Sequence, residues 1–370
     1  MRKTLHIFNP EHDLALAADI DNFTAPHAAR QLRSGLGFLP ALWASDGDLV
    51  LVDDPDYAKE AYRRLCLRIS RYMPWRSHDV RFVGGGELCD CFSGSPDIGL
   101  CPWGWDRSLV YRLSHYGVPD SFLPSYGELR QLRLLSHRRT GLCLLRSFSS
   151  SPISDMIIGE SFECLNVNEV LDLIYKYNKV VVKAPWSCSG RGVRFLGGVL
   201  DEHTLGWLRN TLRLQGSVMV EPQYDKVMDF GMEFEKCSDG VTRFLGLSLF
   251  HTVKGSYSGN LLATGKAKRD ILSRYISLDL LDNVCSHICS ESIRHLTIPN
   301  GYIGPFGVDM MIVSREDGEG FLLHPCVEVN IRRTMGHVAL CIEPDDDERQ
   351  AVMSIDTGSL CKLRIGRTMP

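Results

Sequence analysis

The sequence predicts a mixed fold, α/β at its start and α+β beyond, on three observations. Near the N-terminus, short apolar strands alternate with an amphipathic helix. In the second half, apolar runs come in pairs joined by turn residues, at 180–183 with 193–196 and at 307–313 with 321–329. The chain is 370 residues long and 44% hydrophobic. At a prior of about 150 residues per domain, that length makes two or three domains with ordinary cores.

Residues 5–8 form the first strand, followed by the polar turn Asn9-Pro10-Glu11-His12-Asp13. Residues 49–52 form the second. A helix over 57–73 follows, because Ala58, Ala61, Leu65, Ile69 and Met73 recur at helical spacing. Residues 81–83 are a third strand that enters Gly84-Gly85-Gly86-Glu87. Strand–helix alternation of this kind predicts parallel pairing. Asn9, Glu11, His12 and Asp13 lie just beyond a strand end, where open α/β sheets bind ligands. The other reading is that Asp13 caps a helix over 14–18. The three glycines lack the G-x-G-x-x-G order, which favours a plain turn over a dinucleotide site. Trp103-Gly104-Trp105-Asp106 reads as packing plus a turn.

Residues 180–183 are an apolar strand ending in Lys183, and Trp186-Ser187-Cys188-Ser189-Gly190-Arg191-Gly192 follows. A lysine leaving a strand beside a Ser/Gly-rich loop suits phosphate, through its charge and the loop's N–H and hydroxyl groups. A hairpin turn rich in serine is the alternative, and the P-loop order is absent. Next, a strand ends near Glu221-Pro222, where proline stops the ladder. Another strand begins near Asp229. Backbone freed at such an end suits an adenine edge, and a nearby carboxylate suits ribose hydroxyls.

The densest chemistry is Glu328-Val329-Asn330-Ile331-Arg332-Arg333. On a strand, Glu328 and Asn330 share a face. A carboxylate and an amide oxygen are hard ligands suited to Mg²⁺. Arg332 continues the alternation and offers a cation for phosphate or carboxylate. Asp309 lies in the preceding apolar strand, and the turn 316–320 would fold it back beside Glu328 and Asn330. Solvated acids on each strand are the alternative.

Taken in order, the Lys183 loop, the Glu221 hinge, Asp309 and Glu328-x-Asn330-x-Arg332 resemble the ATP-grasp superfamily of ATP-dependent ligases, over about residues 120–342. The resemblance implies a small parallel α/β N-terminal domain (1–119) that helps form the acceptor site. A first nucleotide lobe (120–215) and a second lobe with the metal site (216–342) follow. It implies that Lys183 contacts the α/β-phosphates of ATP, while Ser187, Ser189, Gly190 and Gly192 close over them. Glu221 would hold adenine and Asp229 ribose. Asp309, Glu328 and Asn330 would bind Mg²⁺, or Mn²⁺ in its place. Arg332 would face the γ-phosphate or the substrate carboxylate. An earlier cation on the nucleotide is either Arg138 or Arg139. The loop carries Trp186 and Cys188 where the superfamily often has small residues, and the turn between Asp309 and Glu328 is long.

The implied reaction joins a carboxylate, on a small molecule or peptide, to an amine or a thiol. Attack on the γ-phosphorus of ATP yields an acyl phosphate and ADP. The amine then displaces phosphate through an oxyanion that needs a cation, a role open to Arg332 or Arg333. No nucleophilic side chain is required, and no Cys/His or Ser/His/Asp signature is seen in the sequence. A kinase on the same scaffold and a non-catalytic nucleotide binder are the rivals.

Formal net charge is −4 with scattered basic residues, which argues against a nucleic-acid partner. No apolar run approaches the ~18 residues of a membrane span, and residues 5–8 are too short for a signal peptide. The thirteen cysteines show no paired C-x-x-C motifs and read as reduced thiols of a cytoplasmic protein. Cys285, His287 and Cys289 are the one spacing that also suits a metal. A homodimer is compatible with this reading. Residues 343–370 turn acidic at Asp345-Asp346-Asp347-Glu348 and read as a C-terminal tail without defined order.

Overall fold

The computed structural model describes residues 3–93, 97–187, 192–253, 256–295, 302–358 and 361–366. In chain order its strands are β1 Lys3–Ile7, β2 Leu49–Leu51, β3 Arg81–Val83, β4 Ile98–Pro102, β5 Phe162–Cys164, β6 Lys179–Lys183, β7 Val193–Gly197, β8 Val218–Pro222, β9 Lys226–Lys236, β10 Thr242–Val253, β11 Ser256–Leu262, β12 Gly304–Ser314, β13 Phe321–Asn330, β14 Ala351–Asp356 and β15 Lys362–Gly366. The chain divides into two compact units. One comprises 1–133, 258–268 and 332–370, and the other 134–257 and 269–331.

The first unit holds the parallel sheet that the alternation predicts, in the order β3-β2-β1-β4. Leu5 and Ile7 of β1 face one apolar cluster together with Leu49, Leu51 and Val83. Val50 and Val52 face the other, with Leu36, Leu39, Tyr62 and Leu65. Two covered faces are what a parallel sheet requires. The predicted helix runs Pro55–Ile69, because the Asp54 carboxylate accepts from Tyr57 N and caps its start. Met73 is buried just beyond its end.

The tail expectation is overturned here. Residues 351–356 and 362–366 pair antiparallel as β14 and β15, and β14 also pairs with β11 through Asn260–Leu262. Ala351, Met353, Cys361, Leu363 and Ile365 are buried in the Val50 cluster. The pattern is short and its partner strand is far off in sequence, so periodicity alone gave no signal.

The second unit has two antiparallel sheets. One is ordered β5-β8-β6-β7. Helices Val167–Tyr177 and Glu202–Gln215 pack on it through Val170, Ile174 and Leu208. The other contains β13, β12, β9 and β10 as successive antiparallel neighbours. Its core is Phe230, Met232, Phe234, Phe306, Val308 and Met310, all nearly or fully buried. Among the described residues no helix is long and apolar enough to cross a membrane.

Candidate active site

Within the second unit the β12–β13 hairpin does what the spacing predicts. Asp309 pairs directly with Glu328, and Gly307 with Asn330. Period-2 alternation therefore puts Asp309, Glu328 and Asn330 on one face. Asn330 Nδ2 donates to Asp309 Oδ2 at 3.1 Å. A third acid joins them that the sequence reading missed. On β9, Gly231 pairs with Asp309 and Glu233 with Gly307. A β-carbon at Gly231 would lie 3.4 Å from Glu233 Oε1 and 3.5 Å from Asp309 Oδ1. Glu233 is buried. Its signal was present, since Asp229, Gly231 and Glu233 alternate along one strand face.

Arg138 precedes the helix Arg139–Ser147. Its Nη1 donates to Glu328 Oε2 at 2.6 Å, Nε to the Ala184 carbonyl at 2.9 Å, and Nη2 to Ser187 Oγ at 3.1 Å. One guanidinium thus ties the strand end after Lys183 to a candidate metal ligand. Arg139 goes elsewhere, 3.7 Å from Glu163 and half exposed. Of the two arginines, only Arg138 belongs to this site.

Lys183 ends β6. Its Nζ lies 2.6 Å from Glu221 Oε2 and donates to the Val327 carbonyl at 3.3 Å. Both partners are buried. Val181 pairs with Glu221 and Lys183 with Met219, so the cation and the acid share one sheet face and meet on the diagonal of the antiparallel pair. Fully buried His324 lies beside this pair. Burial and the Lys183 charge push its pKa down to about 3, and among the described residues neither ring nitrogen has a hydrogen-bond partner. Burial, with nearby carboxylates, also raises the Cys326 thiol above its ordinary range.

At the loop, Ala184 N donates to the Gly192 carbonyl. A β-carbon on Gly192 would come 2.4 Å from Ser187, so only glycine fits. Ser189 and Gly190, with Cys188 and Arg191, lie outside the described residues. Trp186 is buried and meets His137 edge-on at 4.7 Å, a packing role. Asp229 Oδ2 accepts from Thr252 Oγ1 at 2.7 Å and from Lys226.

In the first unit, Arg332 and Asp13 form a two-pronged pair at 2.9 and 2.7 Å. Asp13 is therefore not a cap, and the helix His12–Ala18 has Glu11 at its N-cap without a side-chain bond. The rest of the Asn9–Asp13 cluster is equally engaged. Glu11 meets Arg33 and Arg112, while Asn9 and His12 meet Asp106, which caps Arg107–His115. Arg333 stacks its guanidinium over Trp43 at 4.6 Å.

Asp309, Glu328 and Asn330 offer hard oxygen donors on rigid strands, which fits Mg²⁺ held with phosphate and water. Among the described residues, no group of three or more His, Cys, Asp and Glu is placed to hold a metal, so any ion here would depend on the Asn330 amide, phosphate and water. His287 instead bonds Ser147 at 2.7 Å and stacks on Phe148, while Cys285 and Cys289 interact with each other.

Two solved structures share this fold, and a third is reported beside them. The biotin carboxylase domain of Hydrogenobacter thermophilus 2-oxoglutarate carboxylase, solved with MgADP, ADP and bicarbonate, matches 96% of the chain and 74% of its own, at 11% identity and a TM-score of 0.52. Biotin carboxylase of Campylobacter jejuni, in a β,γ-ATP complex, matches 97% of this chain and 77% of its own, at 12% identity and 0.51. The ADP complex of Staphylococcus aureus N5-carboxyaminoimidazole synthetase matches 96% and 82%, at 13% identity and 0.48. No protein-family model and no curated protein matches the chain. The chain has the ATP-grasp fold.

Proposed function

We propose that the protein is a cytoplasmic ATP- and Mg²⁺-dependent ligase that joins a carboxylate to an amine through an acyl phosphate. The supporting observation is the face shared by Asp309, Glu328 and Asn330, joined by Arg138 to the strand end after Lys183. Lys183 and Arg138 would bind the nucleotide phosphates. A bound phosphate would share the Lys183 ammonium with Glu221, since an ammonium has three donors and Glu221 stays paired. Asp309, Glu328 and Asn330 would hold Mg²⁺, which neutralises charge developing on the transferred phosphoryl group. Glu221 and the strand end after it would hold adenine, and Asp229 the ribose.

The test is ADP and phosphate release with Mg²⁺ over a panel of amino acids, short peptides and small dicarboxylates paired with amines. Equal ADP and inorganic phosphate, dependent on both substrates, is expected. ADP without free phosphate would replace the ligase by a kinase, and no turnover with any pair would remove the reading.

A further inference from the structure

The first unit sets a cysteine beside a histidine that a carboxylate holds. His6 on β1 and Cys101 on β4 are Cα partners in parallel register. Their side chains leave the same sheet face about 5 Å apart. His6 is 6% exposed, and its Nε2 lies 3.1 Å from Asp48 Oδ2. That contact selects the Nε2–H tautomer and leaves Nδ1 as the acceptor. Among the described residues Nδ1 has no hydrogen-bond partner. Asp48 is itself fixed, accepting from Thr4 N at 2.8 Å and Ser45 N at 2.9 Å. Cys101 is partly exposed. Arg333 is anchored beside it, its backbone N donating to the Trp103 carbonyl at 2.9 Å and its guanidinium stacked on Trp43.

We propose that Cys101 is a nucleophilic thiol, with His6 as its base and Asp48 as the positioning residue, and that it accepts an acyl group from an activated carboxylate such as an acyl phosphate. His6 Nδ1 takes the thiol proton. The sulfur then attacks the carbonyl carbon to form a C–S bond, Arg333 faces the oxyanion, and the C–O bond to phosphate breaks with phosphate leaving with the electron pair. The product is a Cys101 thioester and inorganic phosphate, with the proton left on His6. The electrostatics agree. Burial would raise the Cys101 pKa, but contact with His6 and the nearby Arg333 charge outweigh it and lower it. Burial likewise opposes the charged form of His6, yet Cys101 and Asp48 raise its pKa. Arg333 is also near Cys341, whose thiol burial pushes up to about 11, so Cys341 serves as an inert neighbour for comparison.

The test needs no nucleotide, so its failure is separate from failure of the ligase reading. The full chain is treated with iodoacetamide from pH 5.5 to 9.5, and each cysteine is followed by peptide mass spectrometry. Cys101 should alkylate first, with its rate levelling off below the usual thiol range. His6→Gln should slow it roughly tenfold near neutral pH, as a one-unit rise in thiol pKa requires. Asp48→Asn should shift the same profile in the same direction. Incubation with acetyl phosphate should then place a hydroxylamine-labile acetyl group on Cys101 and not on Cys101→Ser. A Cys101 profile rising only in the ordinary thiol range overturns the proposal without any variant. So does rapid alkylation with no acetyl transfer, since the thiol would then be reactive but not an acyl acceptor.

Discussion

Arg138 and Glu328, 190 residues apart in the chain, meet at 2.6 Å, while Arg139, one residue further, faces Glu163. Arg138→Ala should therefore weaken a non-hydrolysable ATP analogue by roughly 10- to 100-fold, the worth of one or two charged hydrogen bonds. Arg139→Ala should stay within a few-fold. Calorimetric titration of both variants decides it, and equal losses would mean that the site has been drawn around the wrong arginine.

Lys183→Met should cost about 3–5 kcal/mol of stability as well as ATP affinity, since it strands the buried Glu221 carboxylate. The double variant Lys183→Met/Glu221→Leu should recover most of that stability and none of the binding. Denaturant midpoints for the two variants give the answer. Equal midpoints would show that the ion pair is not desolvated as described.

Glu328→Gln and Asn330→Ala should abolish turnover more than they weaken nucleotide binding. Mg²⁺ keeps several waters and needs few protein ligands, so on the proposed assignment ATP should still dock through Lys183 and Arg138. Charge on the transferring phosphoryl group peaks in the transition state, where these ligands matter most. Single-turnover rates with separately measured affinities would expose an equal loss in both, which contradicts the metal assignment.

His324 gives a pH dependence. Its folded pKa of about 3 lies below the ordinary 6.5, so the unfolded chain binds the extra proton between those values. Its contribution to stability is full above pH 6.5 and is lost as pH falls toward 3, at up to ~1.4 kcal/mol per pH unit. His324→Leu should flatten that slope. Urea unfolding of both proteins at pH 7, 6, 5 and 4 measures the difference, and parallel slopes would return His324 to an ordinary pKa.

The hairpin and the face shared by Asp309, Glu328 and Asn330 were legible because two strands and their turn are contiguous, so period-2 alternation reports the face directly. Lys183 was legible for the same reason. What escaped depends on partners distant in sequence. Nothing near Glu11 announces Arg33 or Arg112. Nothing near His6 announces Cys101, because parallel register is set by intervening helices. Arg138 and Arg139 differ only in where one turn of backbone aims them. Glu233 escaped although its alternation with Asp229 was visible, because a hydrophobic strand with one more acid looks unexceptional until its neighbour is known.

The first unit closes late. Its core joins Leu36 and Val50 to Leu363 and Ile365, and its three stretches end with 332–370. During vectorial synthesis the early strands leave the ribosome before the residues that complete their apolar cluster, and that part of the face stays uncovered until 351–366 emerge. A nascent chain stalled before residue 350 should therefore be cut by protease more readily than one in which 351–366 have cleared the ribosome. Deleting those two strands should likewise leave the first unit a substrate for chaperones.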